Sequence, residues 1–138
     1  MNTRRDMIAV MGTALFATGA APVDAKTGPW IKDREDAQHI TTPFGEVRIY
    51  FKGETDELRL LELLNARINP GLSPHPPHQH PEEELLLVVE GEGEFLLDDR
   101  AMPCSAGTML YAAPGHSHGI KNTGSAPLSV QIFKWQPK

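Results

Sequence analysis

The sequence predicts an all-β protein, a sandwich or barrel of short strands. Two observations carry that prediction. Short runs of alternating apolar and polar residues recur at regular spacing, separated by turn residues. The 138 residues also include 12 glycines and 12 prolines, a composition suited to many tight turns. Apolar residues make up 40% of the chain, enough for a single core, so one folded domain is expected.

Residues 1–25 stand apart from this pattern. Thr3-Arg4-Arg5-Asp6-Met7-Ile8 is a basic start, residues 8–21 are apolar but rich in Ala, Gly and Thr, and Val23-Asp24-Ala25 offers a small-residue cleavage site. This is the layout of a secretory signal, and it is too short and too weakly apolar for a transmembrane anchor. The Arg4-Arg5 pair resembles a bacterial twin-arginine signal, with an ordinary Sec signal as the alternative. The chain is therefore expected to divide into a signal peptide, 1–25, and a folded domain, 26–138, located in the periplasm or outside the cell. Cleavage removes two arginines and two aspartates, so the net charge of −5 is unchanged. That charge argues against nucleic acid or an anionic membrane as a partner.

Residues 26–42 are polar and irregular, expected to form an arm or short turn that packs through Trp30 and Ile31. Residues 46–51 (Glu-Val-Arg-Ile-Tyr-Phe) alternate and are rich in β-formers, which predicts a strand. Residues 52–56 form the turn after it. The next segment, 57–68, is ambiguous: Leu60, Leu61 and Leu64 have helical spacing, whereas Leu64, Ala66 and Ile68 alternate as in a strand. Residues 69–77 contain Pro70, Gly71, Pro74, Pro76 and Pro77 and must be an extended loop. Further strands are expected at 83–89, 94–97, 108–112, 117–122 and 128–135, with turns at 91–93, 98–100 and 122–124. There is no internal repeat. The lone Cys104 cannot form an internal disulfide and reads as a small, partly buried filler.

The chemistry concentrates in His78-Gln79-His80-Pro81-Glu82-Glu83-Glu84, at the start of an apolar run. Side chains alternate faces along an extended chain, so His78, His80 and Glu84 share a face and can converge. Glu82 has the same parity but lies close to His80 behind Pro81, and Glu83 points to the opposite, solvated face. Two imidazoles and a carboxylate suit a divalent first-row transition metal. Downstream, Pro114-Gly115-His116-Ser117-His118-Gly119-Ile120-Lys121-Asn122 supplies a fourth candidate, His118.

These two stretches resemble the paired motifs of the cupin superfamily. His78-x-His80-x3-Glu84-x6-Gly91 fits the first motif, although Gly71 lies one residue further upstream than the pattern asks. Gly107-x5-Ala113-Pro114-Gly115-x2-His118-x3-Asn122 fits the second, with Ala113 where the pattern has proline. The resemblance spans residues 58–135. It implies a double-stranded β-helix, the jelly-roll cupin barrel, in a single copy. It also implies that 57–68 is a strand and that His78, His80, Glu84 and His118 are metal ligands. Gly91, Gly107, Gly115 and Asn122 serve turns and strand exits.

Four protein ligands leave about two positions open in an octahedral shell, which Mn²⁺, Fe²⁺ or Ni²⁺ prefers, with Zn²⁺ a further candidate. The expected function is that of an exported metal-dependent enzyme, a dioxygenase, lyase or isomerase acting on a small oxygenated molecule. The alternative is a non-catalytic module that binds a ligand or metal in the same pocket. His116 is the candidate catalytic residue, for substrate or proton handling, and otherwise a solvated turn residue. His75 is expected to be exposed, and Arg67 and Gln131 to lie on a solvated strand face. Leu86 and Val88 should face the interior. Leu85, Leu87 and Val89 then form a second apolar face, which predicts a homodimer or cover by residues 30–51.

Overall fold

A computed structural model describes residues 28–138; the expected signal peptide, 1–25, lies outside the described residues. Nine strands follow one another, and no helix occurs among the described residues. They are β1 (Gln38–Thr42), β2 (Gly45–Gly53), β3 (Leu58–Ile68), β4 (Glu83–Glu90), β5 (Glu92–Leu97), β6 (Arg100–Ser105), β7 (Met109–Ala112), β8 (His118–Lys121) and β9 (Leu128–Pro137). A six-stranded sheet has the order β1-β2-β3-β9-β4-β7, and a three-stranded sheet has the order β6-β5-β8. All of their pairings are antiparallel.

The ambiguous segment is a strand. Across β3, Glu62, Leu64, Ala66 and Ile68 are buried while their neighbours are half-buried or exposed, the two-residue period of a sheet with one face inward. Leu86 and Val88 of β4 are buried in the same way. With Phe44, Val47, Ile49, Phe95, Leu110, Ile120, Leu128, Val130 and Ile132 they fill the space between the sheets. Cys104 joins that core, and burial pushes its thiol pKa up, so it is a packing residue with little thiolate character.

Two strands were not expected. Residues 38–42, read as part of an irregular arm, pair with β2 as β1. This short edge strand is polar and mostly exposed, so it lacks the apolar alternation that marks a half-buried strand. Residues 100–105 form β6 against β5. Pro103 within it argues against a central strand, and β6 is indeed an edge strand, where a missing N–H costs nothing on the open side. The arm before β1 does what was expected of Trp30, which stacks on Phe51 at 6.1 Å between centroids, whereas Ile31 is fully exposed.

Three bulges interrupt the pairing, and the one in β2 matters most. Ile49 pairs with Leu64 but Phe51 pairs with Leu63, so Tyr50 is an extra residue. An extra residue reverses the facing of everything beyond it. Phe51 therefore lies on the outer face, buried under Trp30 and outside the central core, and Lys52 turns inward opposite Glu62.

Candidate metal centre

The sequence places His78, His80 and Glu84 on one extended run; the fold brings them together differently. His78 is not on β4. It bridges to β8, its N–H donating to the His118 carbonyl at 3.0 Å and its carbonyl accepting from the His118 N–H at 2.9 Å. The chain then bends at Pro81 and Glu82 before β4 begins at Glu83. His78 and His118 thus come from the small sheet's side, Glu84 from the large sheet, and His80 from the connection between them.

The four ligating atoms of His78, His80, Glu84 and His118 all lie within 4.8 Å of one another. The three imidazoles stand edge-on, with centroids 4.8–5.2 Å apart and planes 71–87° from parallel. His80 Nε2 lies 2.6 Å and His118 Nε2 2.8 Å from the same oxygen, Glu84 Oε2. On the far side of each ring, Nδ1 faces a main-chain carbonyl, Glu82 O at 3.2 Å for His80 and His116 O at 2.9 Å for His118. A carbonyl only accepts, so Nδ1 donates to it, and Nε2 turns to the centre, where it either carries a second proton that it donates to Glu84 or offers its lone pair to a metal ion. Two such nitrogens aimed at one carboxylate oxygen need a cation between them, a proton or a metal ion. This donor set and its hydrogen-bonded outer partners fit a divalent transition ion. The carboxylate of Glu82, 3.1 Å from His80 Nδ1, adds a second outer acceptor.

The electrostatics follow from this geometry. Burial works to raise the pKa of Glu84, but the hydrogen bonds from His118 and His80 win and hold it well below the usual carboxylate range. Burial lowers the pKa of His118, and the Glu84 carboxylate more than offsets it, leaving a net rise. His78 has no such partner, and burial, together with the neighbouring imidazoles of His75 and His118, lowers it to about 3. A neutral His78 is ready to coordinate, because metal and proton compete for the same lone pair.

That shift gives a pH dependence. The His78 pKa is depressed, so between its ordinary value of 6.5 and about 3 the unfolded chain binds a proton that the folded chain refuses. Its contribution to stability is therefore intact above 6.5 and falls as pH drops through that window, by up to about 1.4 kcal/mol per pH unit. His118 acts in the opposite sense, stabilising below 6.5 and losing that contribution as pH rises through its raised folded value. In thermal melts of chelator-treated protein, His78→Gln is expected to lose stability less steeply than wild type between pH 6.5 and 3. Equal slopes would contradict the assignment.

His116 is exposed, its Nδ1 paired with Asp98 Oδ2 at 2.9 Å, while its main-chain carbonyl orients His118. His75 is not the exposed residue expected. The proline-rich loop folds back, and its ring stacks on His78 with centroids 3.8 Å apart. Glu83 points to the opposite face, as its parity requires. There it is clamped rather than idle, accepting from Tyr111 Oη at 2.6 Å and Trp135 Nε1 at 2.7 Å. Arg67 and Gln131 lie away from the centre, Arg67 on Glu90 at 3.3 Å and Gln131 accepting from Asn65 at 2.6 Å.

Sequence reasoning missed one group beside the centre. Glu62 is buried inside the barrel, with Lys52 Nζ 2.8 Å from Oε1 and Lys134 Nζ 2.6 Å from Oε2. Lys134 pairs in register with Glu62 on one side and Glu84 on the other. Burial works to lower its pKa, and Glu62 reverses this and raises it, so Lys134 stays charged. The signal for Glu62 was present, since it has the parity of Leu64, Ala66 and Ile68.

A barrel of two antiparallel sheets with a three-histidine, one-carboxylate cluster between them is a β-barrel of the cupin type with a candidate metal site. The family model for the cupin domain matches residues 65–133, and the chain belongs to that family. No curated protein matches. Among solved structures, a proposed sugar phosphate isomerase from Acidithiobacillus ferrooxidans is 23% identical with a TM-score of 0.52, over 55% of this chain and 50% of that one. A predicted oxalate decarboxylase from Thermotoga maritima is 24% identical with a TM-score of 0.60, over 78% of this chain and 99% of that one. The polyketide cyclase RemF from Streptomyces resistomycificus is 19% identical with a TM-score of 0.63, over 78% and 79%. The chain thus spans half the length of the first and nearly all of the second. At these identities the likeness establishes the fold alone.

Proposed function

We propose that this cupin is an exported metalloenzyme holding one divalent first-row ion on His78, His80, Glu84 and His118 and acting on a small oxygenated molecule. The observation that carries the reading is the convergence of two imidazole Nε2 atoms on one buried carboxylate oxygen, with a third imidazole beside them. When bound, such an ion supplies Lewis acidity toward a carbonyl or enolate oxygen, or redox chemistry with O₂ if it is iron. The chain's own contribution is to orient His80 and His118 through the main-chain carbonyls behind them and to set Glu84 beside the buried Leu86, Leu110 and Ala112. The test is metal analysis of protein purified without added metal, followed by oxygen uptake and product analysis with enols, phenols and sugar acids. Turnover supports the enzyme; stoichiometric metal without turnover supports a binding module, a reading favoured by the pairing of His116 with Asp98 rather than with the cluster. Absence of metal rejects both.

Export rests on residues 1–25. Replacing Arg4 and Arg5 together by lysine is expected to hold the precursor in the cytoplasm, and normal export of that variant would point to Sec.

We further propose a homodimer through the outer face of β4 and β7. Leu85 pairs with Tyr111 and Leu87 with Met109, and Tyr111 and Met109 remain 50% and 62% exposed. Against cover by residues 30–51 stands the placement of β1 and β2, which extend the same sheet on the far side of β3 and β9, with Trp30 stacked on Phe51 there. A contiguous apolar face of this kind is one that soluble monomers rarely leave open. Sedimentation at micromolar concentration is expected to show a dimer that Met109→Glu converts to monomer. A wild-type monomer would reject the proposal.

A further inference from the structure

The ion group inside the barrel has more positive charge than its own stability needs. A buried carboxylate is neutralised by one cation, yet Glu62 has two, Lys52 and Lys134, at 2.8 and 2.6 Å. The second is not there by simple alternation, because Lys52 faces inward only through the extra residue Tyr50 in β2. Bulges of this kind are used to re-aim side chains next to active sites. The layering is also directional. Glu62 is 2% exposed, whereas the Lys134 and Lys52 side chains are 22% and 31% exposed, so the cations have the greater contact with solvent. Lys134 shares a cross-strand row with Glu84, and directly opposed side chains on one face are immediate neighbours. With a divalent ion bound, that ion and the two lysines outweigh Glu62, Glu82 and Glu84 by one unit of charge.

We propose that Lys134, backed by Lys52, is the carboxylate anchor of this site. The ligand class is a small 2-hydroxy or 2-oxo acid, with its carboxylate on Lys134 and its neighbouring oxygen toward the cluster of His78, His80, Glu84 and His118 that would hold the ion. This rests on the metal-site reading given above and adds the substrate class to it. Each ammonium has three donors, and Lys134 uses one on Glu62, leaving donors for a ligand. Glu62 holds the lysine in place, and so acts as a positioning residue.

The experiment uses the full mature chain loaded with Co²⁺, titrated with glycolate and separately with neutral hydroxyacetone, and followed by cobalt absorption. Lys134→Met is expected to keep its cobalt and its affinity for hydroxyacetone, and to lose about tenfold to a hundredfold in affinity for glycolate, the range for one charge-assisted hydrogen bond. Lys134→Arg should recover part of that loss. If Lys134→Met folds poorly, Lys134→Gln keeps a polar partner for Glu62 while Lys52 still neutralises it, and a loss of glycolate affinity in the same direction is expected. Unchanged glycolate affinity with full cobalt overturns the anchor and leaves the metal site standing. Loss of cobalt from Lys134→Met would show that Lys134 serves only to position Glu84, and also overturns it. A wild-type protein that takes no cobalt rejects the metal reading and the anchor together.

Discussion

His80→Ala will lose about a hundredfold or more in metal affinity and will be isolated largely free of metal. Removing an outer partner of a metal ligand typically costs ten- to a hundredfold, and removing the ligand itself must cost at least as much. The geometry makes His80 a stringent choice, because its Nε2 is one of the two nitrogens that meet Glu84 Oε2, and its ring orientation is set by the Glu82 carbonyl and carboxylate. Glu84→Gln should have a similar effect, since the amide keeps the shape but removes the charge that the ion and both imidazoles share. Glu83→Gln is the control. It lies one residue away on the opposite face, bound by Tyr111 and Trp135, and its variant should keep the metal. Metal content of the three purified variants decides the matter. A Glu83 variant that loses more metal than the Glu84 variant would shift the ligand by one residue and contradict the register of β4.

Asn122→Ala will destabilise the domain by about 2–4 kcal/mol, because its side chain closes three hydrogen bonds in a fully buried place. Nδ2 donates to the carbonyls of Ile68 and Ala126 at 2.8 and 2.9 Å, and Oδ1 accepts from the Gly124 N–H at 2.9 Å. These bonds tie the end of β3 to the turn after β8. Alanine leaves the carbonyl of Ile68, a fully buried residue, without this donor, and burying an unpaired polar group is what makes such losses large. For a domain of this size the melting temperature should fall by roughly 10–20 °C. Thr123→Ala, at the exposed neighbour, should change it little. Equal melting of the two variants would show that Asn122 does not hold the barrel closed.

How much was legible depended on whether the information was periodic or spatial. The strands with one apolar face are legible from alternation, except that 57–68 alternates and also has helical spacing, so its inward set Leu64, Ala66 and Ile68 follows only with the resemblance to cupins. The polar edges β1 and β6 could not, because an edge strand is held by main-chain hydrogen bonds that leave no apolar signature in the sequence. The prolines around His75 point to an exposed residue, yet the same stiff loop returns its ring onto His78.

By itself, the sequence determined the class of fold, the identity of the four candidate ligands and the face assigned to Glu83, because strand parity and motif spacing are local properties of the chain. Only the tertiary structure decided how the ligands meet. His78 comes from a bridge to β8 and not from the strand that carries Glu84, a pairing of residues 40 positions apart that no local pattern encodes. The tertiary structure also decided that Lys52 lies inside the barrel. One extra residue at Tyr50 reverses the facing of the chain beyond it, and a bulge is defined by the partner strand that skips it, so it exists only once β2 and β3 are paired.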